Sequence, residues 1–494
     1  MKTSQLIYEF VSYAIKYGGW MEMDRVYLTN RTMALVGVKE LEKNSGETTV
    51  NADIDTLVSQ LVEVALEQQT INDIAYEREM LEGRLGDLLT PPPSVLNALF
   101  AQQYNDDPKV ATDYFYELSQ VNQYIKTKAI QKNIVFDYPS RYGTLEITIN
   151  LSKPEKNAKS IVAEQRQAKR AYPTCMLCME NEGYEGDVDY PARTNHRILR
   201  LNLDGESWGM QYSPYAYYNE HCIFLSEEHR PMTISEKTVA RLLKIVEVFP
   251  HYFVGSNADL PIVGGSILAH DHYQGGRHTF PMAKAENAWT FPLILFPKVS
   301  AAVVNWPMSV IRLQSASQTD LVKAATYIMK QWENHDDLDL GIRAFSEDGT
   351  RHHTVTPIAR MRDNQYELDL VLRDNNTSEE HPEGIFHPHR DVQHIKQENI
   401  GLIEVMGLAI LPPRLKQELS EVEAYLLGET TDVAEIHRDW AREMKGTYNV
   451  TKENVTEIIQ KEVGKKFERV LEDAGVYKQT AEGQAGFKRF IDKL

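Results

Sequence analysis

The sequence predicts an α+β protein, because segments of helical and of strand periodicity both occur and are grouped along the chain. Residues 1–135 are predicted to be a helical N-terminal extension, since apolar side chains over residues 54–66 repeat at helical spacing and the triple proline at 91–93 later interrupts the pattern. Residues 136–300 are rich in strand patterns. Helix and strand patterns alternate again over residues 301–494, so three domains with these boundaries are expected.

The middle part contains the clearest individual elements. Residues 145–151 alternate between apolar and polar side chains as a strand does, and the aromatic stretch 212–218 is also predicted to favour a strand. Residues 223–229 indicate an apolar strand that runs into a loop ending in His229. The next helix is predicted to begin with a capping box at 233–236 and to stop before Pro250.

The last part repeats this alternation. A helix is predicted over residues 321–332 and a strand over residues 366–372, followed by a polar loop over residues 373–389. Residues 414–494 are charged and have helical periodicity, and we interpret them as packing and dimer surface.

Composition limits the classes of partner and the compartment. The 494-residue chain has 53 basic and 71 acidic residues, a net charge of −18, which argues against nucleic acid or an anionic membrane as the main partner. Residues 1–17 lack a signal pattern, and the apolar stretch at 400–413 is too short to span a bilayer. With only three cysteines, the chain is expected in the reducing cytoplasm.

The most informative motif is a row of polar side chains at alternate positions. His270, His272 and Gln274 lie between the glycine pairs 264–265 and 275–276. Side chains two apart in a strand share a face, and glycines let backbone amides approach an anion closely. A neutral imidazole near a phosphate can attack it directly. The motif therefore predicts a phosphate site with a nucleophilic histidine.

A second motif contains two of the three cysteines. Cys175 and Cys178 form a Cys-x-x-Cys pair, which can be half of a zinc site, a redox dithiol or a coincidence. No second pair exists, so further zinc ligands would be histidine, aspartate or glutamate, and His229 and His270 are the strongest candidates. The acidic, glycine-containing continuation at 180–184 does not resemble a thioredoxin-like unit, which disfavours the redox reading.

Together these motifs resemble the galactose-1-phosphate uridylyltransferase family, a transferase branch of the histidine-triad superfamily. The stretches 88–93 and 399–412 are similar to the bacterial type-2 form, and the resemblance runs over nearly the whole chain. It implies two histidine-triad-like halves with antiparallel sheet, a helical N-terminal extension and a homodimer.

The resemblance also implies roles for individual residues. It makes His272 the nucleophile and Gln274 the amide that contacts the phosphate. It implies zinc bound by Cys175, Cys178, His229 and His270. Substrate contacts would be Asn257, Ser266, Asn202, Asp204, Lys153, Lys156 and Glu404. Type-1 members carry a second His-x-His beside a second metal, but the corresponding strand here has Glu367 and Asp369, so that metal is not carried over.

The implied activity is UDP-glucose–hexose-1-phosphate uridylyl transfer in galactose catabolism. UMP would pass from UDP-glucose to galactose 1-phosphate through a uridylyl-histidine at His272, in a ping-pong exchange that gives glucose 1-phosphate and UDP-galactose. Gln274 suits transfer better than hydrolysis, because an amide cannot deliver a proton to a poor leaving group. Two alternatives are another histidine-triad nucleotidyl transferase, such as a dinucleoside polyphosphate phosphorylase, and a zinc-stabilised nucleotide-binding protein without catalysis.

Overall fold

A computed structural model describes residues 2–42, 50–152, 171–265 and 267–494 of the chain. Three of the expected substrate contacts, Lys153, Lys156 and Ser266, lie outside the described residues.

The chain divides by its internal contacts into two units. The first comprises Met1–Lys128, Lys156–Ala216 and Glu220–His229, and the second comprises Ala129–Glu155, Tyr217–Asn219 and Arg230–Leu494. Residues of the predicted middle domain therefore belong to both units, and the three-domain division stays a prediction.

Helices make up most of the regular structure in both units. Within the described residues they are, in chain order, α1 (Thr3–Tyr17), α2 (Arg25–Val36), α3 (Ile54–Glu67), α4 (Ala75–Leu88), α5 (Pro93–Asp106), α6 (Pro108–Val121), α7 (Thr127–Ile130), α8 (Glu236–Val248), α9 (Pro281–Lys284), α10 (Gln318–Glu333), α11 (Leu402–Val405), α12 (Arg414–Leu426), α13 (Arg438–Thr447), α14 (Val455–Ala474) and α15 (Ala481–Ile491). In the part of the chain described here, none of them is both long and apolar enough to cross a bilayer.

The strands are mostly short. They are β1 (Ile134–Ser140), β2 (Gly143–Ile149), β3 (Leu199–Leu203), β4 (Glu206–Tyr212), β5 (Cys222–Ser226), β6 (Phe253–Gly255), β7 (His272–Gly276), β8 (Asn287–Pro292), β9 (Ser300–Val304), β10 (Val310–Ser315), β11 (His353–Arg362), β12 (Gln365–Asp374) and β13 (Leu408–Leu411).

The first unit contains the predicted helical extension. Asp53 caps α3 by accepting a hydrogen bond from the backbone N–H of Thr56 (2.9 Å), and the apolar stripe of α3 packs into one core with α1, α2 and α4. The triple proline acts as expected, because α4 ends at Leu88 and α5 begins at Pro93. Further along the unit, β3 pairs antiparallel with β4 and β4 with β5.

The second unit carries two groups of strands. One group pairs antiparallel in the order β7-β6-β11-β12-β10-β9-β8, and α8 and α10 pack against each other and against β11. The other group has the order β1-β2-β13, in which β13 is parallel to β2. The predicted α+β class with antiparallel strands is confirmed, as are the helix at 321–332, the strand at 366–372 and the helical C-terminal part.

Three local predictions were wrong. The stretch 212–218 is not a strand, because β4 ends at Tyr212 and Pro214 lies in a turn, where its missing N–H costs no ladder hydrogen bond. Helix α8 begins two residues later than the expected capping box, with Ser235 as its N-cap. Strand β7 begins only at His272, so His270 precedes the strand instead of sharing it.

Candidate active site

His272 opens strand β7 and is 6% exposed. Its Nδ1 lies 2.8 Å from the main-chain carbonyl oxygen of His270. A carbonyl oxygen only accepts hydrogen bonds, so Nδ1 carries the ring proton and donates it, and Nε2 of the neutral ring keeps its lone pair. Burial lowers the pKa of His272 to about 4, which keeps the ring neutral at physiological pH. The ring is therefore a neutral imidazole of fixed tautomer, which has a lone pair on Nε2.

Gln274 lies two residues further along the same strand. It pairs with Gly255 of β6, while Tyr273 between the two polar residues is 1% exposed. Residues two apart in a strand project to one face, so His272 and Gln274 share a face, as predicted.

A charged network that the sequence did not predict anchors this strand to helix α8. The buried carboxylate of Asp271 lies 3.4 Å from Nε of Arg230 and 3.7 Å from Nη1 of Arg241, which belongs to α8. The same Nη1 lies 3.4 Å from the hydroxyl of Tyr273. Burial raises the pKa of Asp271, and the two arginines oppose that rise. Nothing in the sequence around Asp271 indicates that it pairs with Arg230 and Arg241.

Asn257 joins the loop that contains Gly264 and Gly265, here called the glycine loop, to helix α11. Its Oδ1 accepts a hydrogen bond from the backbone N–H of Leu402 at 2.8 Å. A Cβ placed on Gly265 would lie 2.5 Å from Nδ2 of Asn257, so only glycine allows this close approach. Asn257, which is an expected substrate contact, thus packs against the loop backbone and also binds the start of helix α11.

Glu404 is buried and ion-paired. Its Oε1 lies 3.0 Å from Nζ of Lys396, which also donates to the carbonyl oxygen of Ile410 at 3.0 Å. Lys396 is 4% exposed, and although burial alone would lower its pKa, Glu404 and Glu398 raise it overall. Sequence analysis missed Lys396, because nothing local distinguishes it from a surface lysine.

Three of the four predicted zinc ligands, Cys175, Cys178 and His229, lie together within the first unit. The Sγ atoms of Cys175 and Cys178 lie 3.4 Å apart, and Nδ1 of His229 lies 3.2 Å from Sγ of Cys178. Asn181 shapes the cysteine loop, since its Nδ2 donates to the carbonyl oxygens of both cysteines at 2.8 Å. Neither cysteine forms a disulfide bond. Asn181 is a further residue that the sequence did not single out.

This donor set fits a zinc ion. Sulfur ligands about 2.3 Å from a tetrahedral zinc have edges of about 3.8 Å, and the observed Sγ–Sγ separation of 3.4 Å is close to that value. Burial raises the pKa of Cys178 to about 12, so two neighbouring thiolates need a cation to be stable there. The cluster can therefore bind a metal ion, and thiolate and imidazole ligands suit zinc.

Comparison with known proteins identifies the family. Residues 19–231 match the galactose-1-phosphate uridyl transferase N-terminal domain, and residues 245–442 match the C-terminal domain. The galactose-1-phosphate uridylyltransferase of Enterococcus faecalis is 57% identical over 490 residues, which cover 99% of this chain and 98% of that protein. The chain belongs to the galactose-1-phosphate uridylyltransferase family.

Other family members have similar sequence identity to this chain. The proteins of that name from Staphylococcus saprophyticus and Streptococcus pneumoniae (strain Hungary19A-6) are 52% and 56% identical, each over 99% of both chains. A crystal structure of yeast Ap4A phosphorylase aligns with a TM-score of 0.29 and 13% identity over 52% of this chain and 79% of that chain, which is too low to bear on function.

Two expected substrate contacts of the uridylyltransferase, Asn202 near the end of β3 and Asp204 in the turn that follows, lie at the β3–β4 hairpin. Asn202 accepts a hydrogen bond from the N–H of Gly205 at 2.9 Å, and Asp204 has a positive φ of 53°. Both side chains are exposed. The turn between β3 and β4 explains these residue types, because Asn and Asp favour turns and tolerate the left-handed conformation.

Arginines of the neighbouring strands β10 and β11 pair with the carboxylates of Glu367 and Asp369 on β12. Asp369 accepts from Nε of Arg312 at 2.7 Å, and Glu367 accepts from Nε of Arg360 at 2.5 Å. Both carboxylates are fully buried. Apart from the Cys/His cluster, no group of three or more His, Cys, Asp or Glu side chains in the described residues could hold a metal. His381, His387, His389 and His394 are likewise part of no such group among the described residues.

Proposed function

We propose that this protein transfers a uridylyl group from UDP-glucose to galactose 1-phosphate, as the names of its relatives indicate, with His272 as the nucleophile. The observation that carries the proposal is the hydrogen bond from Nδ1 of His272 to the carbonyl oxygen of His270, which leaves Nε2 free to attack.

The lone pair of Nε2 forms a bond to the α-phosphorus of UDP-glucose. The bond from that phosphorus to the bridging oxygen breaks, and its electrons leave with glucose 1-phosphate, a stable anion that needs no general acid. The uridylylated ring is then cationic, because Nδ1 keeps its proton. The hydrogen bond from Nδ1 to the His270 carbonyl oxygen stabilises that charge.

The second half repeats the first in reverse. A phosphate oxygen of galactose 1-phosphate attacks the uridylyl phosphorus, the P–N bond breaks, and its electrons return to Nε2 of His272. UDP-galactose leaves, and the ring is neutral again. The two halves are nearly the same reaction, so the ring need not change its tautomer between them.

Charge on the phosphoryl oxygens would be met by the amide of Gln274 and by backbone N–H groups of the glycine loop. The close approach of Gly265 to the Asn257 side chain supports such a role, because this contact would hold the loop backbone in place. Donors held in place before the reaction cost no reorganisation when charge develops. Ser266, Lys153, Lys156 and Glu404 remain proposed substrate contacts.

We also propose that zinc is bound by Cys175, Cys178, His229 and His270. Three of these ligands form the cluster within the first unit, and a tetrahedral structural site needs one more. When bound, zinc would fix the backbone at His270, the residue whose carbonyl oxygen orients the nucleophile. We further propose a cytoplasmic homodimer, and three cysteines without a disulfide bond are consistent with a reducing compartment.

An exchange assay tests this function. The protein is mixed with UDP-glucose and galactose 1-phosphate, and UDP-galactose is measured; a parallel reaction contains a diadenosine polyphosphate and inorganic phosphate. UDP-galactose formation alone supports the uridylyltransferase. Turnover of the diadenosine compound alone would make it a phosphorylase, and no turnover of either would leave a binding protein.

A further inference from the structure

A cavity of about 280 Å³ in the second unit is lined by basic side chains. They are Lys284, Arg360, Arg362, His251 and His278, and no carboxylate lines the cavity within the described part of the chain. Such a lining is unexpected in a protein with a net charge of −18. We call this cavity the cationic pocket.

Buried carboxylates behind the cationic pocket hold its two arginines in place. Nε of Arg360 donates to Glu367 at 2.5 Å, and Arg360 also donates to Asp369 through Nη2. Arg362 lies 3.0 Å from Glu367 and donates to the carbonyl oxygen of Ala283. In both arginines, Nη1 has no hydrogen-bond partner among the described residues. Two guanidinium groups are thus fixed with one edge still available to an anion.

The charges of the surrounding network do not cancel. Arg312 joins the same carboxylates, at 2.7 Å from Asp369. Lys284 is exposed and has no ion-pair partner in the described residues. Arg312, Arg360, Arg362 and Lys284 carry four positive charges, and Glu367, Asp369 and the Glu146 carboxylate beside His278 carry three negative charges. The excess is one positive charge with a neutral His278 and two when His278 is protonated. This positive excess attracts a phosphate monoester, which carries about −1.5 to −2 near pH 7.

The remaining lining favours an organic phosphate over a bare anion. Phe253, Phe280 and Met406 give the cationic pocket an apolar wall, which a sugar or similar group could contact. His278 adds a polar group, since its Nε2 lies 2.8 Å from a carboxylate oxygen of Glu146 and its other ring nitrogen remains for a ligand.

We propose that the cationic pocket binds the dianion of a phosphate monoester, at a site distinct from His272. The lining does not include His272, which lies six residues before the lining residue His278 along the chain. The proposal depends on the pocket's own charges and does not require uridylyl transfer.

Calorimetric titration of the full-length protein tests the proposal. Galactose 1-phosphate and inorganic phosphate are titrated separately into the wild type, Lys284→Glu and Lys237→Glu. Lys284 is exposed, so its variant is expected to fold, and the exposed Lys237 on α8 gives the same change of charge as a control. We expect Lys284→Glu to raise the Kd of one phosphate-binding site at least tenfold. The control Lys237→Glu should leave that Kd unchanged. Binding of the sugar phosphate but not inorganic phosphate would show that the apolar wall contributes.

The proposal would be overturned if Lys284→Glu bound both probes as the wild type does. Arg362→Met provides a second test, because its side chain is 38% exposed and lines the same cavity. Uridylyl transfer is measured separately by product formation. A protein that fails to make UDP-galactose but loses one phosphate site in Lys284→Glu would refute the proposed function alone.

Discussion

The Nδ1 atom of His272 lies 2.8 Å from the main-chain carbonyl oxygen of His270. This contact joins the proposed nucleophile to the residue proposed as the fourth zinc ligand. Because the acceptor is a backbone atom, replacing the His270 side chain leaves it in place. The orientation of the nucleophile therefore depends on the backbone path, which the zinc cluster and the Asp271 network would both hold.

The zinc cluster gives the first prediction. Replacing Cys178 with Ser should remove a metal content of about one zinc per chain and lower the melting temperature, because a structural zinc contributes directly to folding. Elemental analysis and thermal unfolding measure both effects. Cys222→Ser is the matched control. This fully buried thiol lies outside the cluster, so the Cys222→Ser protein should keep its zinc. Unchanged zinc in Cys178→Ser would contradict the assignment.

The buried ion pair of Lys396 and Glu404 gives the second prediction. Glu404→Gln should destabilise the protein by about 3–5 kcal/mol, because it leaves the buried ammonium group of Lys396 with only the exposed carboxylate of Glu398 as counter-charge. Chemical denaturation measures the change. Glu398→Gln is the control: its carboxylate lies 3.4 Å from the same lysine but is 56% exposed, so solvent screens it and its loss should cost under about 1 kcal/mol. Equal losses of unfolding free energy in Glu404→Gln and Glu398→Gln would show that burial of the carboxylate does not determine the effect.

The glycine loop gives the third prediction. Gly265→Ala should lower the exchange rate by about 10²-fold, because the new methyl group would displace the amide of Asn257 and the loop donors with it. Steady-state kinetics measure this. Gly446→Ala is the control, since no atom lies within 4 Å of its added Cβ and it sits in helix α13. It should leave the rate unchanged and stabilise the fold by about 0.5–1 kcal/mol. An active Gly265→Ala enzyme would exclude a close backbone contact with phosphate.

Sequence reasoning succeeded where local chemistry is restrictive. Few roles suit Cys175 and Cys178 together, and the structure places His229 beside them as predicted. Likewise, the alternation of His272 and Gln274 could place them on one face because strand geometry has a strict period of two.

Sequence reasoning failed where contacts between distant parts of the chain determine the surroundings of a residue. The carboxylates of Glu367 and Asp369 meet Arg312 and Arg360 only because three strands align in one register, which the sequence does not encode locally. Lys396 is buried because Glu404 is held opposite it. Aromatic content alone made residues 212–218 resemble a strand, although the chain turns there.

The central claim is a covalent bond between phosphorus and one imidazole. Incubation of the protein with UDP-glucose alone, followed by mass spectrometry of its peptides, tests it most directly. We expect a uridylyl adduct on the peptide that contains His272, and its removal when galactose 1-phosphate is added. A His272→Ala protein that folds normally should form no adduct. If the wild type produces UDP-galactose without any adduct, or if His272→Ala keeps the wild-type exchange rate, the proposed mechanism is wrong.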